Sequence, residues 1–330
     1  MAESIRTPVL VPALLNGVAR EFKGQQLVAD QVAPPLPVDV ELGKYTVYGK
    51  DNLYTVNNTY AHGAIPNAIT SRESEDNFNT QLRVIRHPLL DRDTDPNRPG
   101  GAGRRRRVTV KVTLATQIAR EARVASAFTN TSNYASGFVL TKSGGAEWDQ
   151  SSVKNTTGPL DDIESRIQKV TQGAIVPRNA ITVVIPANVF DATIRYNSAI
   201  RDYYKYTQSG VTTAEVLASL MGVKEVLIAT GLYAGAGVEN TGNDISTGIT
   251  TTNLWGDNVW VGVVDTDNID MMSYARQFAY RAATGGQDIQ IREYGMADAG
   301  QRGNWIEAAE QRDLKITANF AGALITNVMQ

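Results

Sequence analysis

The sequence predicts an α+β fold, and three observations carry that reading. Helical and strand patterns mix along the whole chain, with no internal repeat. The first 105 or so residues hold no convincing amphipathic helix, yet they are too patterned for disorder. Ala180 to Ile185 is a β-branched run without alternation, as in a strand buried on both faces.

Taken in order, Met1 to Arg86 reads as an extended arm with prolines at Pro8, Pro12, Pro34, Pro35 and Pro37, followed by short strands and turns. Val38, Val40 and Leu42 alternate with Asp39 and Glu41, and beyond Gly43 the alternation resumes out of phase at Tyr45 and Val47. That predicts a strand bulged at the glycine. Such a segment has one apolar face and little sequence nearby to cover it, so a neighbouring copy of the same chain is the expected cover. Asp91 to Gly103 is a loop by composition, closed by Arg104 to Arg107. Ala115, Ile118, Ala122 and Ala125 then step by three and four, which predicts a helix with those residues buried and Arg120, Glu121 and Arg123 on its other sides. Its start is ambiguous, because Val108, Val110, Val112 and Leu114 alternate with Thr109, Lys111 and Thr113 as a strand would.

Ser126 to Gly158 is rich in Ser, Thr, Asn and Gly and reads as a surface excursion. Pro159 suits a first helical turn, Asp161 and Asp162 suit the positive end of the helix dipole, and Ile163, Ile167, Val170 and Ala174 mark the buried stripe. Pro186 opens a further helix to about Asn197. Thr212 and Glu215 form a capping-box pattern before Val216, Leu217 and Leu220, and Gly222 ends that helix. Val223 to Thr230 is the next strand, Gly231 to Asn253 a loop, and Trp260 to Val264 another strand. Ile289 to Tyr294, Trp305 to Ala309 and Leu314 to Ala318 complete the strands, and the apolar Ala321 to Val328 closes the chain.

Composition narrows the function. The 330 residues suit one large or two ordinary domains. A formal net charge of −2 gives no global pull toward nucleic acid, membrane or acidic substrates. With no cysteine, disulfides and thiolate chemistry are excluded. No apolar run approaches the roughly 20 residues that span a bilayer. Val9 to Leu15 is short, broken by Pro12 and lacks a small-residue cleavage site, so no signal peptide is expected.

Chemistry is sparse. His62 and His87 stand alone, without a second metal-ligand type at a binding spacing. Gly231 to Gly237 follows a strand, but no helix succeeds it to hold a pyrophosphate. Asp161-Asp162 and Asp265/Asp267 are explained by a helix start and a turn. No catalytic residue, cofactor or metal site is expected. Arg104, Arg105, Arg106 and Arg107 form the one charge run. Phosphate binding is its sharp reading, while inter-subunit pairing, or local pairing with the Asp91 to Asp95 acids, is favoured. No aromatic interleaves it, which argues against a single-strand stacking platform.

Several strings, in order, resemble the major capsid proteins of tailed bacteriophages, whose fold is shared with encapsulin shells. Leu14 to Val18 and Gln26 to Val38 are similar to the family's N-terminal arm, and Gly43 to Tyr48 to the strand opening its extended loop. Trp148-Asp149 and Pro159 to Ile163 resemble the entry to its first axial-domain helix. Pro177 to Ile185 with Val189-Phe190, and Leu217 to Ala229, resemble its strand-helix and helix-strand steps.

The resemblance implies an N-terminal arm over 1–37 draped on a neighbour and an extended β-hairpin loop over 38–85 reaching across an adjacent subunit. It implies a peripheral domain over 86–154 and 281–312, with a long spine helix at about 106–130. An axial domain would hold 155–280 and 313–330. The Pro-Gly-Gly-Ala-Gly before the arginines and the β-branched residues in the first helical turns depart from the pattern. By this resemblance the chain is no enzyme. It would assemble in the host cytoplasm, as hexamers and pentamers, into an icosahedral virion capsid around double-stranded DNA. Its partners would be a portal, a separate scaffolding protein and a decoration protein, with no membrane. An encapsulin-like compartment is the alternative within the fold, and an α+β enzyme or a nucleic-acid-binding protein lies outside it. Lys44, Tyr45, Val47 and Tyr48 in the loop, together with Arg104 to Arg107, are the expected inter-subunit contacts. Some relatives cross-link a loop lysine to a neighbour's asparagine; Lys44 and Lys50 lie in the loop region, but the sequence places no partner asparagine or catalytic glutamate, and no cross-link is claimed.

Overall fold

The computed structural model describes residues 9–10, 27–48, 59, 73–94, 103–203, 212–234, 251–265, 272–296 and 302–330. Two sheets organise them. The first runs in the order β1 (Val9–Leu10), β13 (Gln290–Gly295), β14 (Gly303–Ile316), β12 (Ala275–Tyr280), β2 (Pro35–Val38), and β5 (Gln81–Leu90) lies along the other side of β14. The second runs β6 (Val139–Thr141), β15 (Gly322–Thr326), β11 (Val259–Val263), β7 (Ile181–Pro186), β8 (Glu225–Ala229). Two hairpins stand apart: β3 (Leu42–Tyr48) with β4 (Glu73–Asn79), and β9 (Leu232–Ala234) with β10 (Thr251–Asn253).

The second sheet follows from its sequence. β7 and β11 are buried at every position, so neither strand needs a polar face. Helix Gly158–Ala174 covers this sheet with the expected stripe Ile163, Ile167, Val170 and Ala174, all buried. Helix Ala214–Met221 is capped by Thr213, whose hydroxyl accepts from Val216 N at 3.3 Å, and not by Thr212. Gly222 ends it with φ +65°, a left-handed turn that favours glycine. The expected 231–253 loop includes the short β9–β10 hairpin at its two ends.

A 26-residue helix, Arg104–Thr129, connects the two halves. It settles the ambiguous start in favour of helix and takes the four arginines into its first turn. The buried stripe is not the expected one. Ala115, Ile118 and Ala122 are only half-buried, while Val108, Thr109, Val112, Thr113, Thr116, Arg120, Glu121, Val124, Ala125 and Phe128 are buried. The reason is a division of labour along the helix. Val108 and Val112 join a small core with Leu89, Ile291, Ile306 and Ala308 against the first sheet. Val124, Ala125 and Phe128 join the large core of the second half, where Phe128 meets Trp255, Trp260 and Tyr274 at ring-centroid distances of 5.0–5.7 Å. Between these cores the helix buries a polar waist. Thr109, Thr113 and Thr116 return their hydroxyls to carbonyls four residues back, at 2.9–3.0 Å, so they are satisfied without leaving the helix.

The expected break between Trp305–Ala309 and Leu314–Ala318 does not exist. One strand of 14 residues runs through Glu310-Gln311-Arg312-Asp313, because the charges there find partners on neighbouring elements and need not turn outward to solvent. Held continuous, β14 takes Ala275–Tyr280 as an antiparallel neighbour, from Ala275 opposite Ile316 to Ala279 opposite Arg312. The sheets therefore divide the chain differently from the expected 155–280 and 313–330 grouping. Residues 275–280 and 313–316 sit in the first sheet, and Val139–Thr141 joins the second.

Residues 28–38 also differ from the expected neighbour-draping arm. Val28, Ala29, Val32 and Ala33 are buried in this chain's own core, and Pro35–Val38 pairs in parallel with β12. Proline tolerates such a sheet-edge position because its missing N–H costs nothing where, among the described residues, no partner strand lies beyond.

Candidate assembly surfaces and the charged waist

The loop hairpin begins where β2 ends. Leu42 to Tyr48 pairs antiparallel with Glu73 to Asn79 in unbroken register, from Leu42 opposite Asn79 to Tyr48 opposite Glu73. There is thus no bulge at Gly43. The glycine has another cause: it faces Phe78, whose ring would lie 2.6 Å from a Cβ at that position. Phe78 stacks on Phe278 of the first sheet, with centroids 4.5 Å apart and planes at 8°, and Tyr45 rests on the same Phe278 at 5.1 Å. The change of phase in the sequence marks an aromatic clamp seated on the chain's own sheet.

The expected contacts fall as follows. Tyr45 is half-buried and donates its hydroxyl to Asp76 Oδ2 at 2.9 Å, and burial followed by that bond pushes its phenol up. Lys44 and Glu75 form an exposed cross-strand pair at 2.9 Å, of a kind worth about 0–1 kcal/mol. Val47 is half-buried. For Tyr48 the backbone pairing alone is described. The loop tip lies outside the described residues. Exposed apolar side chains gather at the root of the hairpin and on the adjoining strand: Val40, Leu42 (65% exposed), Leu82 and Val84.

The arginine run opens the long helix after Gly103, which adopts φ +77°. Arg105 pairs with Glu293 of β13 at 2.9 Å. Arg104, Arg106 and Arg107 have no ion-pair partner among the described residues, and Asp95 of the Asp91 to Asp95 segment lies outside them. The run stands where the long helix opens, at the loop-to-helix junction its sequence suggested.

What sequence reasoning missed is the waist. Arg120, 4% exposed, donates Nε and Nη2 to Glu310 Oε2 at 2.9 and 2.7 Å, and Nη1 to Asp30 Oδ2 at 2.6 Å and Asp288 Oδ2 at 3.2 Å. Glu310, 1% exposed, also receives Arg123. Arg312 donates to Asp30 at 2.9 Å, to Gln277 Oε1 at 3.0 Å and to Asp288. Burial opposes the charge on Asp30, yet the two guanidiniums hold its carboxyl below the usual range. Burial, with Arg120 nearby, pushes Arg312 down to about 10. Glu121, fully buried, accepts from Ala29 N at 2.7 Å and Trp255 Nε1 at 2.6 Å, and burial still pushes its carboxyl up. Most of these bonds join residues about 90 to 280 positions apart in sequence, so the waist fastens the N-terminal segment, the long helix and β14 together. No group of three or more metal-binding side chains occurs among the described residues, and no described helix is long and apolar enough to cross a membrane.

Comparison with known proteins agrees with this architecture. No known sequence-family profile matches the chain. It is 25% identical over 174 residues to the major capsid protein of Pseudomonas phage JBD67, a match covering 52% of this chain and 56% of that protein. The chain thus spans only a little over half the length of that curated relative. The crystal structure of a phage-related protein from Bordetella bronchiseptica RB50 superposes with a TM-score of 0.68 at 20% identity, covering 98% of this chain and 99% of that one. The capsid structure of the cyanophage P-SCSP1u gives 0.59 at 13% identity, over 98% and 92%. The encapsulin complex of Synechococcus elongatus PCC 7942 gives 0.52 at 12% identity, over 100% and 94%.

The chain therefore has the fold shared by phage capsids and encapsulins, with its long helix, two sheets and hairpin. Within that class, its sequence relative is a phage major capsid protein.

Proposed function

We propose that this chain is the structural major capsid protein of a tailed bacteriophage, many copies of which close an icosahedral shell around double-stranded DNA. The observation that carries the reading is the match to the JBD67 major capsid protein on a chain that has the shell fold throughout. Shell formation needs no chemistry, only surface that is repeated and complementary. The exposed Val40, Leu42, Leu82 and Val84 supply apolar area whose burial is worth about 1.5–3 kcal/mol per large side chain when fully covered. In this reading the hairpin from 38 to 85 reaches an adjacent subunit and the first sheet with the long helix forms the peripheral domain. The second sheet is the axial domain around which hexamers and pentamers close, and the residues before 27 contact a neighbour. A scaffolding protein, a portal and a decoration protein belong to the same reading, as do assembly in the host cytoplasm and residence in the virion capsid.

An encapsulin-like compartment would use the same fold. The phage relative favours the genome-bearing shell. Expression of the full chain alone and with its neighbouring genes, followed by light scattering and negative-stain microscopy, tests the proposal. Closed particles of megadalton mass are expected. A well-folded monomer under every condition would overturn it, and particles that enclose protein cargo without nucleic acid would move it to the compartment.

A further inference from the structure

The waist neutralises its own charges, but the opposite end of the long helix does not. Arg104 to Arg107 and Lys111 place five cations within the first eight residues of a helix whose one acid, Glu121, is buried far along it. Glu293 neutralises Arg105. Arg104, Arg106, Arg107 and Lys111 have no ion-pair partner among the described residues, and Arg106, Arg107 and Lys111 are exposed. The arrangement repels itself, and it also sits at the positive end of the helix dipole, where cations are unfavourable. Val108 and Val112, buried along the side of the helix that adjoins the strip, fix its orientation.

Arg104, Arg107 and Lys111 stand at i, i+3 and i+7, one face of the helix, over about 10 Å of its axis. Duplex DNA carries a phosphate charge per about 1.7 Å of its own axis, so a strip of that length lies against several phosphates at once. No aromatic side chain occurs in Arg104 to Lys111 on which an unpaired base would stack, which favours a duplex over a single strand.

We propose that Arg104, Arg107 and Lys111 form a binding strip for the phosphodiester backbone of double-stranded DNA, without base reading, with Arg106 adding its charge from the adjoining exposed side. The assignment rests on the capsid reading for its biological setting, but its test does not need a shell. The full chain, kept unassembled, is titrated against a fluorescent 24-base-pair duplex by anisotropy between 50 and 200 mM salt. Each phosphate contact contributes about 0.9 to the slope of log affinity against log salt. Replacing all four residues with glutamine removes about 3 to 4 from that slope, which is about 10²-fold in affinity across this salt range. Lysine at positions 104, 106 and 107 keeps the slope, because a phosphate contact needs charge. A control with the same charge loss elsewhere, Lys154→Gln, Lys169→Gln, Arg201→Gln and Lys224→Gln, leaves it unchanged.

Circular dichroism confirms folding of each variant, and if the fourfold glutamine variant does not fold, the double variant Arg107→Gln, Lys111→Gln carries the test, with about 2 expected off the slope. An unchanged slope in the glutamine variant overturns the proposal, as does an equal loss in the control. If the glutamine variant keeps its slope but fails to form particles, the strip meets a neighbour's acids, and the DNA assignment is wrong while the shell reading stands. Absence of particles from every variant and from the parent chain bears on the shell reading alone.

Discussion

Replacing Arg120 with methionine tests whether the waist is held by charge pairing. The substitution keeps much of the side-chain volume and deletes the guanidinium that donates twice to Glu310 and once each to Asp30 and Asp288. Asp30 and Asp288 are partly exposed and can recover water. Glu310, at 1% exposure, cannot, and is left with Arg123 alone. Leaving a buried charge short of its partner costs about 3–5 kcal/mol. A folded domain has about 5–15 kcal/mol in all, so the loss is a large fraction of stability. The double variant Arg120→Met, Glu310→Leu removes both buried charges and is expected to recover about 2 kcal/mol or more of that loss, since apolar replacement of a buried pair is often close to neutral. Urea unfolding of the unassembled chain, followed by fluorescence of its four tryptophans, measures both. A single variant within about 1 kcal/mol of the parent, or a double variant no more stable than the single one, would refute the reasoning.

Two further outcomes follow from the same geometry. Gly43→Ala drives a methyl into the Phe78 ring, which cannot retreat because Phe278 is stacked behind it, so a cost of about 1–3 kcal/mol is expected, with faster hydrogen exchange along 42–48. The Asp30 carboxyl lies below its ordinary range in the folded chain, so its contribution is complete above about pH 4 and is lost as pH falls through the lower folded value. Protection from hydrogen exchange at 28–33, taken relative to the unstructured rate at each pH, should therefore fall below that pH in the parent, and be low without such a step in Asp30→Asn. Glu121 acts with the opposite sign, since a raised folded pKa means that protonation on mild acidification favours the fold.

The parts that were legible in the sequence are those whose hydrophobic pattern is local. Ile181–Pro186 and Val259–Val263 are apolar at nearly every position, and Ile163, Ile167, Val170 and Ala174 step at helical spacing. The long helix was legible as a helix but not in its orientation. Its outward side carries Ala115, Ile118 and Ala122, while its inward side carries threonines, an arginine and a glutamate. Apolarity fails as a guide there because the partners of Arg120 and Glu121 lie about 90 to 190 residues away. Glu310-Gln311-Arg312-Asp313 misled for the same reason and read as a gap between two strands. The phase shift at Gly43 was visible, but the aromatic ring that requires the glycine sits on another strand. Of the surface, the arginine run announced itself, whereas its lack of a local counter-charge needed coordinates.

The continuity of β14 has a mechanical consequence. At about 3.4 Å per residue, its 14 residues form a rail close to 48 Å long. β5 is laddered along one side of it from Gly303 to Arg312, and β13 and then β12 occupy the other. A pull along the rail strains the cross-strand bonds in shear, all together, whereas a pull across it would open them singly like a zip. Arg120 and Arg123 add lateral ties at Glu310, near the point where β13 gives way to β12. The chain is thus stiff along β14, and in the proposed shell the way each rail is laid would give the wall a preferred direction of tension.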